Sequence, residues 1–158
     1  MSEKKEKQSS NVVSTVNQII ASQGVLFVKL HQYHWFVQGP HFFTLHKQFE
    51  QLYNETLSYF DLLAERLIEK REKPLSTLSE FLEYSVIDEQ PYKQKIPAEE
   101  MVNHLVQDFN TIKQLVMEGI ELADDEDDVV TEDMLIGYLE QIDKTLWMLR
   151  SFLGHDAN

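Results

Sequence analysis

Five side chains in the first half of the chain have the types and spacing of metal ligands: His34, His46, Glu50, Asp61 and Glu65. Imidazole nitrogen combined with carboxylate oxygen suits iron, manganese or zinc, and the absence of cysteine removes the thiolates that would favour a softer ion. His46 and Glu50 stand four residues apart, as do Asp61 and Glu65, so on a helix each pair shares one face, a turn apart. From Glu50 to Asp61 is eleven residues, close to three turns; the two pairs point in a similar direction but lie about 16 Å apart along the axis. No single ion can be held by both. The spacing predicts two half-sites on one helix, each completed by an antiparallel, two-fold-related copy of the chain. His34, just upstream of a short turn, is expected to join His46 and Glu50, with the partner's Asp61 and Glu65 finishing the cluster. A di-iron centre inside a single four-helix subunit usually carries two Glu-x-x-His pairs. This chain has no glutamate followed by histidine at that spacing.

Simpler readings stand beside these. A lone helical histidine is ordinarily structural or solvated; the joint spacing with three carboxylates is what singles out His34 and His46. Asp61 and Glu65 otherwise form a solvated face, with Glu65 paired to Lys70. His31 is read as a neighbour of the ligands or an exposed residue, and His41, His104 and His155 are set aside. Trp35 and Trp147 are read as core or interface aromatics, with a role beside the metal open for Trp35.

The elements that must position these residues are helices. In 158 residues there are only five glycines and four prolines, and the apolar positions recur at helical spacing. A first helix is predicted over about residues 11–37, ended by Gly39 and Pro40; a second over about 43–71, stopping before Pro74; a third opening at Pro97. The fourth is expected to start after the acidic run Asp124 to Asp128, with Thr131 as N-cap. Thr77 and Glu80 have capping-box spacing, which places a short helix over Leu78 to Tyr84 in the long connection. The fold class is therefore all-α: an antiparallel four-helix bundle of one domain, residues 11–158, behind a flexible tail, residues 1–10.

Composition narrows the setting. Acidic side chains outnumber basic ones 27 to 14, a formal net charge of −13, which repels phosphate backbones and favours cations. No run approaches the roughly 18 to 20 apolar residues of a membrane span. With a polar start and no cysteine, the expectation is a soluble cytoplasmic protein.

The stretch HQYHWFVQGPHFFTLHKQFEQLYNETLSYFDLLAERL resembles the signature of the Dps family of mini-ferritins, in which His-Trp precedes a glycine turn, then Leu-His, an acid four residues on, and Asp-x-x-x-Glu-Arg. PLSTLSEFLE, DDVVTEDMLIG and IDKTLWM resemble the later segments of that family, so the likeness runs along nearly the whole chain after the tail. The resemblance implies a ferritin-like fold and a ferroxidase centre at a two-fold interface, with His34, His46, Glu50, Asp61 and Glu65 as iron ligands. Glu50 stands where many members have aspartate, and Thr145 where histidine is common. It implies a hollow dodecamer that oxidises Fe(II) to Fe(III), preferably with hydrogen peroxide, and stores the ferric mineral. Acidic pores would admit the ion, and Asp124, Asp128 and Asp133 are the candidates, with Val129 interrupting the acids. Some members bind DNA through lysine-rich tails and associate with the nucleoid. Here Lys4, Lys5 and Lys7 are interleaved with Glu3 and Glu6, so a DNA-protecting role is the alternative rather than the leading expectation. A purely structural helical oligomer is the third reading.

Overall fold

The computed structural model describes residues 11–155. The predicted flexible tail lies outside the described residues. Four long helices form the bundle: α1 (Val12–Phe36), α2 (Phe42–Glu69), α4 (Ala98–Asp125) and α5 (Val129–Phe152); the short α3 (Leu78–Tyr84) sits in the connection between α2 and α4. Helix α1 packs against α2 and α4, α4 against α5, and α3 against α1. There are no strands among the described residues. None of the helices is long and apolar enough to cross a membrane. The all-α bundle with its extra helix thus matches the expectation.

The core is made by one stripe of each long helix, for example Ile19, Leu26 and Leu30 of α1, Phe49, Leu52 and Leu63 of α2, and Leu105 and Ile112 of α4, all almost fully buried. Gly24 lets α3 approach α1: a Cβ there would lie 2.8 Å from Cδ2 of Phe81.

The helix ends differ from the sequence reading. Asp128, not Thr131, caps α5: its side chain accepts the Thr131 N–H, and Thr131 is itself fully buried. A residue three positions before the amide it must reach is the correct place for a cap. Three helices end in paired backbone bonds of the Schellman kind. At the end of α2, Arg71 N–H reaches Ile68 O at 2.9 Å and Glu72 N–H reaches Leu67 O at 2.8 Å, with Arg71 left-handed at φ 61. Asp127, at φ 57, plays the same part after α4. Helix α2 therefore stops at its own cap before Pro74 is reached. Thr77 caps α3 as expected, and Glu80 reaches back to accept from the Ser76 N–H and the Thr77 hydroxyl.

Candidate metal centre

The last turn of α1 and the first turns of α2 are locked together by two histidines. His34 Nδ1 lies 2.6 Å from the His46 carbonyl, and His46 Nδ1 lies 2.7 Å from the His34 carbonyl. A carbonyl can only accept, so each Nδ1 carries a proton and Nε2 is the nitrogen left for another partner. The rings stack at 3.7 Å with 12° between planes, and Phe42 stacks on the far side of His46 at 5.0 Å. Histidines that ligate metals are commonly tied to a backbone oxygen through one nitrogen in this way. His34 is buried and His46 half-buried, while Glu50, one turn along α2, is exposed.

A second layer holds these groups. The Tyr53 hydroxyl donates to Glu50 Oε1 at 3.4 Å, a long contact. Desolvation, then the neighbouring Glu50 carboxylate, pushes the Tyr53 phenol above its ordinary value, so it stays a donor. His31 donates from Nδ1 to the Phe27 carbonyl at 2.7 Å and stacks on Tyr53 at 3.8 Å; His34 meets the same ring edge-on at 5.4 Å. Sequence reasoning passed over Tyr53, although its position three residues after Glu50 places it beside that carboxylate.

Asp61 and Glu65 lie further along α2, exposed, with no hydrogen bond or ion pair among the described residues. Lys70, the simple partner considered for Glu65, is bonded to Asp128 instead. The described residues contain no group of three or more His, Cys, Asp or Glu able to hold a metal within the chain. The structure therefore joins His34 to His46 and leaves Asp61 and Glu65 apart from them.

The exposed stripe of α2 has an internal symmetry. Phe43, Glu50, Asn54, Leu57, Asp61 and Ile68 all face outward, and Phe43 (85%) and Ile68 (62%) are large apolar residues in solvent. About the midpoint between Glu55 and Thr56, Glu50 is the mirror of Asp61, His46 of Glu65, and Phe43 of Ile68. Trp35 and Trp147 are likewise open, at 66% and 54%, so neither is a core residue of the single chain.

The acidic run is mostly a helix-to-helix turn. Burial alone would raise the Asp128 pKa, but hydrogen bonds from Lys70, Thr131 and Arg66 outweigh it and hold the carboxyl well below the usual range. Glu126 accepts the Val12 N–H at 2.8 Å and so ties down the start of α1. Asp124 and Asp133 stay exposed.

His104 also has partners that sequence reasoning passed over, although Glu100 and Asp108 flank it at helical spacing. Its Nδ1 is 3.0 Å from the Tyr33 hydroxyl and its Nε2 is 3.6 Å from Glu100 Oε1. Burial, then Asp108 and Glu100, raise the Tyr33 phenol far above its ordinary value. Burial also raises the carboxyl of Asp108, against the opposing pull of Lys29.

Comparisons with known proteins agree with this architecture. Residues 13–157 match the ferritin-like domain family. General stress protein 20U of Bacillus subtilis (strain 168) is 43% identical over 146 residues, covering 92% of this chain and 99% of that protein. DNA protection during starvation protein 2 of Bacillus anthracis is 41% identical with the same coverage. The X-ray structure of Dps from Listeria monocytogenes superposes with a TM-score of 0.92 at 39% identity, covering 95% of this chain and 97% of that one. Dps from Staphylococcus aureus gives a TM-score of 0.87 at 44% identity over 92% of this chain and 98% of its own. With this fold, this order of motifs and relatives matched over nearly their full length, the chain belongs to the Dps family of ferritin-like proteins.

Proposed function

We propose that this chain is an Fe(II) oxidase and iron store whose metal centre is built across a two-fold interface. The observation that carries the reading is the reciprocal pair of histidines, whose Nδ1 atoms are both tied to backbone carbonyls and whose Nε2 atoms are left as ligands. Glu50 adds an oxygen donor a turn away. Antiparallel pairing of two α2 helices about the midpoint of the stripe supplies the rest, with the partner's Asp61 opposite Glu50 and the partner's Glu65 opposite His46. The same pairing covers Phe43 with the partner's Ile68, which removes apolar surface that a monomer exposes.

The mixed donor set of imidazole and carboxylate suits Fe(II) and, as charge builds, Fe(III). Iron is the substrate. With hydrogen peroxide as the preferred oxidant, two Fe(II) ions each lose one electron, and the peroxide takes both electrons and two protons to become two waters. The two imidazoles are positioned before iron arrives, because stacking and backbone bonds hold both rings. Ferric product then passes to a mineral inside a dodecameric cage in the cytoplasm, and Asp124 and Asp133 are the pore candidates. Asp128, engaged with Arg66, Lys70 and Thr131, is the least available of the three acids.

Several relatives carry the name DNA protection during starvation protein. A DNA-protecting, nucleoid-associated role rests here on the tail lysines alone, against a net charge of −13. Anaerobic Fe(II) mixed with peroxide should give a soluble iron-loaded particle. His46→Ala and Asp61→Ala, which alter residues about four turns apart on one helix, should each slow oxidation by at least about tenfold. Stopped-flow absorbance reads the rate, and wild-type rates in both variants would overturn the centre.

A further inference from the structure

We propose that Glu100 and His104 form a separate divalent-cation site on α4, of the zinc or cobalt class, with two protein ligands from one chain, the rest of the shell being water, and distinct from the α1–α2 half-site. The separation of their donor atoms, His104 Nε2 and Glu100 Oε1, is 3.6 Å. That is too long for a hydrogen bond. It is the span expected of two ligands of one ion: at bond lengths of about 2.0 to 2.2 Å and angles near tetrahedral, neighbouring donors lie roughly 3.3 to 3.6 Å apart.

The imidazole is held for this. The other ring nitrogen, Nδ1, is 3.0 Å from the hydroxyl of Tyr33, which is 2% exposed and anchored in the core. The phenol oxygen can accept from Nδ1–H, and binding an ion at Nε2, on the side where Glu100 stands, selects that tautomer. A ligand histidine whose second nitrogen is anchored in this way is the usual arrangement at metal centres. Tyr33 and His34 are consecutive, so α1 anchors one imidazole on its α4 side and supplies another on its α2 side.

The positive groups nearby are already engaged. The Asp108 carboxylate, a turn beyond His104, is largely neutralised by Lys29 at 2.7 Å. Lys29 is itself held by the Asp88 carbonyl at 2.9 Å. The positive end of α4 acts mainly over its first turn, where Glu99 and Glu100 offset it. The side chains of His104 and Glu100 are 37% and 54% exposed, so an ion can reach them and complete its shell with water. An imidazole in the pair selects against calcium and magnesium, which prefer oxygen-only shells.

The test is titration of the assembled protein with cobalt(II) alone, under argon, followed by calorimetry and by visible absorption of the bound ion. A His34→Ala/His46→Ala variant, lacking the half-site imidazoles, should still bind one cobalt per chain, and adding His104→Ala should abolish it. Glu100→Gln should weaken that site by at least about tenfold, and Tyr33→Phe by about 10- to 100-fold at unchanged stoichiometry. In an otherwise wild-type chain, His104→Ala should lower stoichiometry by one per chain and leave the Fe(II) oxidation rate as it was, which separates this site from the ferroxidase reading. Cobalt binding that is identical with and without His104, in both backgrounds, would reduce the pair to an ordinary surface contact and overturn the proposal.

Discussion

Asp128 makes two contributions that substitution can separate. Its Oδ1 accepts the Thr131 N–H at 3.2 Å and Arg66 Nη2 at 3.0 Å, and its Oδ2 accepts the Thr131 hydroxyl at 2.7 Å and the Lys70 ammonium. The side chain is 9% exposed, those of Arg66 and Lys70 18% and 22%. Asp128→Asn keeps a competent cap but takes the carboxylate from two mostly buried cations, leaving Arg66 the Thr131 hydroxyl at 3.0 Å and the more distant Glu69 at 3.9 Å. Removing one partner of a buried pair costs about 3 to 5 kcal/mol, and the residual exposure of both cations brings this case below that range, to about 2 to 3 kcal/mol. Asp128→Ala also loses the cap, a further ~1 kcal/mol. At roughly 2 to 4 °C per kcal/mol for a chain of this size, Asn should lower Tm by about 5 to 10 °C and Ala by about 8 to 15 °C. Scanning calorimetry at one fixed protein concentration reads both, because assembly contributes to Tm. The carboxyl pKa is depressed in the folded chain, so its stabilisation is present above the unfolded value, about 3.9, and is lost as pH falls through the folded value. The gap between wild type and Asp128→Asn should therefore narrow only below about pH 4. Equal Tm values for wild type and Asp128→Asn at pH 7, or a gap that narrows already at pH 6, would refute this.

Two further substitutions probe the packing and the site. Gly24→Ala puts a Cβ 2.8 Å from the Phe81 ring, which also packs edge-on against Phe60 at 5.5 Å. It should destabilise by about 1 to 3 kcal/mol, read as a lowered Tm together with faster hydrogen exchange in α3. Tyr53→Phe keeps the stack with His31 but deletes the 3.4 Å contact to Glu50. So long a contact supports only a modest loss, about two- to fivefold in Fe(II) affinity by anaerobic titration; a loss above about tenfold would mean that Tyr53 does more than orient the carboxylate.

The helices were legible because the apolar residues of α2 and α4 recur at the helical period, and because few glycines or prolines interrupt them. Their ends were less so. Thr131 and Asp128 are both good capping types, and only the three-residue reach of the side chain to an amide decides between them. The left-handed Arg71 and Asp127 carried no signal, since glycine is the usual residue there. At the candidate site, spacing along α2 foretold that Asp61 and Glu65 lie well apart from His46 and Glu50, because helix rise is fixed. What spacing could not supply was the exchange of hydrogen bonds between His34 and His46, which depends on how α1 turns into α2 around Gly39. Nor did the reading along α2 reach His104, whose anchor, Tyr33, comes from another helix.

The central claim is that each centre draws ligands from two chains, and co-assembly tests it most directly. His46→Ala and Asp61→Ala chains are mixed in equal amounts, assembled together, and verified as mixed particles by mass. If sites are shared across a two-fold axis, half of the dimers are mixed, and each mixed dimer has one site with both wild-type halves, so about a quarter of centres are intact. The account predicts peroxide-driven Fe(II) oxidation near a quarter of the wild-type rate, well above either variant alone. Oxidation no faster than the average of the two pure variants, in particles shown to be mixed, would contradict it.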